Sequence, residues 1–333
     1  MKKVSTIYDV ARLAGVSSAT VSRVLNEPDK VGADKRQKVM EAIKELNFVP
    51  KADAVANARK SYRKIGVIAP FFTQPSFMER LRGVAEMLAE QHYELVIYSV
   101  DSVEDLTSYV SNIVNTIRVD GLIFFCMMLE KTLLDMLRDV TFPVCFVEGD
   151  IEGFDCVNIH NLTGGQKAAE YLYEKGCRKP GFIGEKSGLS YAVGATEERF
   201  RGFNFYFANQ GITIPPEHVW IGEFSEQKLD SGINGFLSQE NLPDCVFCSS
   251  DLIAARFLHL AHEKGLRVPG DMKVLGFDNI DISGYIGLST VSQNLDSSGR
   301  VAAELVLARM RNPARPAINL NIPLEIIERE TTR

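Results

Sequence analysis

The sequence predicts an α/β protein: a small all-helical module at the amino end, then two doubly wound lobes of parallel sheet. Three observations carry that expectation. Before residue 50 the apolar residues recur at helical spacing, whereas from residue 64 onward short β-rich runs alternate with helical segments. Residues 1–64 hold 14 Lys and Arg against 7 Asp and Glu, yet the whole 333-residue chain carries −6, so the body is strongly acidic. At about 100 to 200 residues per domain, the length allows two or three folding units. A content of 45% hydrophobic and 24% charged residues excludes disorder, fibres and disulfide scaffolds. No apolar run reaches the roughly 18 residues of a membrane span, and no secretory stretch follows Met1, so a cytoplasmic protein without a membrane partner is expected. The six cysteines, 126, 145, 156, 177, 245 and 248, sit mostly beside Phe, Val and Ile and read as buried thiols rather than disulfides.

The first helix comes from Val10, Ala11 and Ala14 on one face. Gly15 supplies a turn tolerant of positive φ, Ser17 caps the next helix, and Val21, Val24 and Leu25 form that helix's buried stripe. Helix, tight turn, helix is the result. With the valines inward, Ser18, Ala19, Ser22 and Arg23 face outward, where hydroxyls, a methyl and a guanidinium suit base edges in a major groove. A third helix from about Asp34 to Leu46, with Val39 and Ile43 inward and Gly32 before it, completes a core with Phe48. A basic leader on an acidic body fits a module that attracts phosphate.

These residues carry a resemblance. Across residues 5–50, above all in IYDVARLAGVSSATVSRVLN and KVMEAIKELNFVP, the leader resembles the headpiece of the lactose-repressor and galactose-repressor family of bacterial transcription regulators. The resemblance implies operator contacts from Tyr8, Ser18, Ala19, Ser22, Arg23 and Asn26, with Ser18 and Ala19 choosing the operator sequence. Thr6, Ser17 and Lys35 join that DNA-binding set. Gly32 and Lys35 depart from the family's usual Ser and Thr.

Pro50 ends the third helix, and KADAVANARK at 51–60 is rich in helix formers but short of the ~12 to 15 residues an isolated helix needs. A linker at 51–62 that folds on binding DNA and its twin is therefore expected, between a headpiece at 1–50 and a body at 63–333. The resemblance implies a hinge helix with a leucine wedge in the minor groove; here that position is Asn57, so either Val55 substitutes or the operator bends less.

In the body, the strands are IGVIAP, ELVIYSV, GLIFF, VCFVEGD, CVNIH, PGFIGE, VWIGEF, DCVFCSS, MKVLGFD and STVSQ, with helices such as 77–91, 162–175, 192–209, 250–264 and 296–311 between them. Near-continuous apolar strands separated by helices mean parallel sheets covered on both faces. So many units divide into two lobes, with a ligand between the strands' carboxyl ends. The resemblance, looser here, implies lobes like those of periplasmic sugar-binding proteins; it rests on the order of IGVIAPF, HNLTGGQKAAEYLYEKGCRKPGFIG, ERFRGF, SSDLIAA and VLGFDN. Polar residues at or near strand ends become ligand candidates: Glu148, Arg199, Ser250, Asp278 and Gln293, with Phe77 and Phe224 as apolar walls and Phe71, Phe72 and Trp220 in reserve.

Other patterns carry less. His259 and His262 lack a third ligand, Cys245 and Cys248 fall on opposite faces of a strand, and Gly164-Gly165 lacks a phosphate-loop pattern and reads as close helix–sheet packing. No catalytic constellation, metal site or cofactor motif is found, so an enzyme is not expected. The expected function is a transcriptional regulator, in repressor form, that binds a palindromic operator as a homodimer under a small-molecule effector, sugar-like or else a purine. The alternatives are control by a phosphorylated carrier protein, or a cytoplasmic solute-binding protein.

Overall fold

The computed structural model describes residues 5–26, 28–46, 48, 61–116, 118–223 and 225–333. Val55, Asn57, the rest of 49–60 and Phe224 lie outside the described residues, as does the side chain of Asn26.

The headpiece is α1 (Ile7–Ala14), α2 (Ser18–Asn26) and α3 (Ala33–Glu45). Thr6 caps α1 in a reciprocal box with Asp9, and Gly15 closes the helix at φ 64°. The Ser17 hydroxyl accepts from the Thr20 amide at 3.1 Å, starting α2. Val10, Ala11, Ala14, Val21, Val24, Val39 and Ala42 make one buried cluster on which Ile43, Leu46 and Phe48 pack.

Two six-stranded sheets form the body. The first has the order β11-β5-β4-β3-β1-β2 and the second β12-β10-β9-β8-β6-β7. The first uses β1 (Lys64–Ala69), β2 (Glu94–Ser99), β3 (Gly121–Phe125), β4 (Val144–Val147), β5 (Asp155–Asn158) and β11 (Asn319–Asn321). The second uses β6 (Pro180–Lys186), β7 (Val219–Glu223), β8 (Cys245–Cys248), β9 (Lys273–Asp278), β10 (Ser289–Ser292) and β12 (Glu325–Ile327). Every pairing is parallel except β10 with β12. The covering helices are α4 (Pro75–Glu90), α5 (Val103–Thr116), α6 (Lys131–Arg138), α7 (Asn161–Glu174), α8 (Ala195–Asn209), α9 (Glu226–Leu237), α10 (Asp251–Glu263), α11 (Asp281–Tyr285) and α12 (Leu295–Arg311). The chain passes between lobes three times, after β5, after β10 and after β11.

Each sheet buries an apolar cluster on both faces, which is why its strands read as unbroken apolar runs. The ten expected strands are all present; β11 and β12 were not expected. The helix expected from residue 192 begins at Ala195, because residues 191–193 bond instead to the other lobe. Gly164-Gly165 serves two contacts rather than one. A side chain at Gly164 would strike the Phe277 ring on β9, but one at Gly165 would lie 1.9 Å from the Arg199 carbonyl oxygen on α8. Cys245 and Cys248 do face opposite clusters. The reading of the cysteines as core residues holds for five; Cys126 is only half-buried and ends a strand at the cleft.

Candidate DNA-binding surface and ligand cleft

On the headpiece, Val21 and Val24 are buried while Ala19 and Arg23 are exposed and Ser18 and Ser22 half-buried, all on the outer side of α2. Tyr8 is 69% exposed on α1, beside the capping pair Thr6 and Asp9. Lys35 is exposed in the first turn of α3, where Gly32 supplies no side-chain cap, so the helix's leading amides and an ammonium share one edge.

Between the lobes lies a 550 Å³ cavity reached by the carboxyl ends of strands from both sheets. Phe71, Cys126, Glu148 and Asp278 line it with φ of 52°, 53°, 57° and 121°. Left-handed backbone at non-glycine residues costs of order 1 to 3 kcal/mol each and concentrates at binding and catalytic sites. Its recurrence here aims four side chains into one space.

Five polar residues of the cleft and Asn161 beside them close a ring. The Arg80 guanidinium donates to Glu148 at 2.7 Å and to the Gln293 amide oxygen at 3.2 Å. Gln293 in turn donates to Asp278. Asp278 faces Arg199 at 3.9 Å, Arg199 donates to the Asn161 amide oxygen at 2.8 Å, and Asn161 donates back to Glu148 at 3.1 Å. Each arginine thus holds one carboxylate and one amide. Burial disfavours the Glu148 charge, but Arg80 and Arg199 outweigh it and hold the carboxyl below its ordinary value. Asp278 is pushed up to about 7 by burial, with Arg199 and Gln293 opposing. Burial also raises Glu185, against which only the Arg199 charge acts. Two neutralised arginines and a spare carboxylate leave an acceptor-rich pocket with little appeal for an anion.

Two segments of the chain match known protein families. Residues 6–51 match the bacterial regulatory proteins of the lacI family, and residues 169–332 match a periplasmic binding protein-like domain. The HTH-type transcriptional repressor PurR of Haemophilus influenzae (strain ATCC 51907) is 34% identical over 313 residues, covering 92% of this chain and 91% of the relative. A Lacl family transcriptional regulator from Silicibacter pomeroyi superposes with a TM-score of 0.84 at 27% identity, covering 99% of each chain. The transcriptional regulator CelR in its cellobiose complex does so at 0.70 and 25%, covering 98% of this chain and 99% of its own. The chain belongs to the LacI family of bacterial regulatory proteins.

This LacI-family chain is a ligand-regulated, DNA-binding transcriptional repressor, and its family is made up of transcriptional regulators. Among the described residues no helix is long and apolar enough to cross a membrane.

Of the effector candidates named from sequence, Phe77, Glu148, Arg199, Ser250, Asp278 and Gln293 all line the cleft. Ser250 is partly spent, because its hydroxyl caps α10 by accepting from the Ile253 amide. Among the reserves only Phe71 lines the cavity, edge-on to Phe77 at 6.1 Å. Phe72 packs into the first lobe's core and Trp220 lines a separate depression on the second lobe. Sequence reading missed Arg80, Asn161, Cys126 and Glu185. A signal for Arg80 was present: ERLRGV at 79–84 repeats ERFRGF at 198–203, and the repeat sets Arg80 and Arg199 in matching places.

Proposed function

We propose that this repressor reads a palindromic operator as a dimer through the outer face of α2 and senses a sugar-like, uncharged effector in the interlobe cleft. The headpiece spans 1–50, the linker 51–62 and the body 63–333. Ser18, Ala19, Ser22, Arg23 and Asn26 read bases, Thr6, Tyr8, Ser17 and Lys35 hold phosphates, and Asn57 enters the minor groove. Two such headpieces meet half-sites about 34 Å apart or a multiple of it. Within the body, Glu148, Asp278, Arg199, Ser250 and Gln293 bond hydroxyls while Phe77 and Phe224 supply walls. The protein works in the cytoplasm and catalyses no reaction.

The ring joining Arg80, Glu148, Asn161, Arg199, Asp278 and Gln293 carries the effector reading. Its members come from both lobes, so a ligand replacing or extending its bonds favours one lobe arrangement over the other. Carboxylates and amides in alternation suit a polyhydroxylated molecule, and cellobiose sits in the CelR relative. A thermal-shift screen of the full chain against neutral monosaccharides, disaccharides and nucleobases tests it. At a hundredfold excess over Kd a bound ligand adds about 2.7 kcal/mol, which raises Tm by several degrees. A shift with nucleobases and none with sugars would overturn the sugar assignment.

A further inference from the structure

The three interlobe crossovers leave β5, β10 and β11, which lie at one edge of each sheet. A hinge there lets the cleft gape at the opposite side. That side is spanned by a different segment. After β6 the chain does not enter α8 directly; residues 187–194 reach across to the first lobe. Ala192 forms an antiparallel bridge with Met127, the Met128 amide donates to the Tyr191 carbonyl at 2.8 Å, and the Val193 amide donates to the Cys126 carbonyl at 3.2 Å. Tyr191 goes further. Its ring is buried within the first lobe's core, among Ile68, Val100 and Phe124, and its hydroxyl donates to the Val100 carbonyl at 3.2 Å. Leu189 packs against the same cluster. Ser187, Gly188, Ala192 and Val193 meanwhile line the cavity.

We propose that residues 187–194 are a clasp across the mouth of the cleft, with Tyr191 as its latch, which holds the lobes closed and must undock before an effector enters or leaves. The proposal rests on the cleft being the effector site. Rotation about the crossovers moves the far edge most, so the clasp contacts are the first that opening breaks. Its bonds are few and its backbone irregular, so it opens locally while the sheets stay intact. Cys126, tied to the clasp through its carbonyl and facing the cavity with its thiol, reports that opening without any effector. Burial pushes this thiol well above its ordinary pKa, so it reacts slowly when covered.

The test uses the full-length chain with hydrogen exchange and N-ethylmaleimide labelling mapped by mass spectrometry. In the wild type, the Met128 and Val193 amides should exchange together and faster than strand amides such as Phe124. Tyr191→Ser should raise both that exchange and Cys126 labelling by roughly tenfold or more, and Tyr191→Phe by less, while the other five cysteines stay protected. Exchange at Met128 no faster than at Phe124 would overturn the clasp, as would Cys126 labelling unchanged in Tyr191→Ser or all six thiols rising in step. If Tyr191→Ser does not fold, the wild-type and Tyr191→Phe data still decide. Failure of the effector assignment shows separately: the clasp opens as stated, yet no compound in the thermal screen binds.

Discussion

Arg80 and Glu148 are 2% and 5% exposed at the side chain, so each charge depends chiefly on its protein partners. Breaking such a pair costs about 3 to 5 kcal/mol because the survivor is left buried and unpaired, whereas replacing both with apolar groups is often neutral. Arg80→Met is therefore expected to lower Tm by roughly 6 to 20 °C, and Arg80→Met with Glu148→Leu to recover most of it, as calorimetry would show. Asp278 gives a second prediction. Its folded pKa of about 7 lies above the unfolded value, so the folded state binds the extra proton between about pH 4 and 7, and stability falls as pH rises through that window. Glu185 and Asp251, raised by burial, act in the same sense; Glu148, held low, loses stability only at more acid pH. Wild type should melt higher at pH 6 than at pH 8, and Asp278→Asn should flatten part of that difference. An unaltered profile in the variant would remove Asp278 as its source. Glu148 and Asp278 were legible because a polar residue ending an apolar strand has few places to point. Arg80 was overlooked although the ERLRGV–ERFRGF repeat marks it, since it sits mid-helix rather than at a strand end and its partners lie 68 and 213 positions away.

The helices that carry the two arginines are held at a distance no side chain permits. Gly83 on α4 faces the Asp296 carbonyl oxygen of α12, and Gly299 on α12 faces that of Arg80; each added Cβ would sit at 1.9 Å. In the second lobe Gly165 on α7 and Gly202 on α8 repeat the arrangement against Arg199 and Leu162, again at 1.9 Å. Backbone, unlike a flexible side chain, cannot step aside. Gly202→Ala is expected to destabilise by about 1 to 3 kcal/mol or more despite alanine's better helix propensity, and to weaken effector binding by shifting α8, which carries Arg199. Gly235→Ala is its control. Gly235 lies within α9 with nothing within 4 Å of an added Cβ, so the same substitution should stabilise by about 0.5 to 1 kcal/mol. Equal signs for the two would refute the close-approach account. The inner strands were readable because both of their faces are buried, and the edge strands β2 and β7 because their runs are still mostly apolar. With three residues each, β11 and β12 are too short for any pattern, and their places depend on where the chain returns between lobes.

The whole molecule separates two chemistries by charge: residues 1–64 carry twice as many basic as acidic groups, and the rest of a chain with net −6 repels phosphate. Binding to DNA is thus expected of the headpiece and linker, and its salt dependence should count the phosphates held there. Within the headpiece, Arg23 and Lys35 lie on different helices and are expected to have different tasks. Exposed Arg23 projects from α2 beside the half-buried Ser22 and is the candidate for bidentate contact with guanine. Arg23→Ala should cost about 1 to 3 kcal/mol on the operator, relax preference at one base pair in each half-site and leave random-sequence DNA less affected. Lys35, beside the uncapped start of α3, is the candidate for contact with phosphate alone. Its alanine variant should weaken operator and random DNA alike and reduce the slope of log K against log salt by about 0.9 for each phosphate that Lys35 neutralises. Titrations of both variants at several salt concentrations distinguish the roles. Equal losses on operator and random DNA for Arg23→Ala would take base reading away from that side chain, and an unchanged slope for Lys35→Ala would take the phosphate from the start of α3.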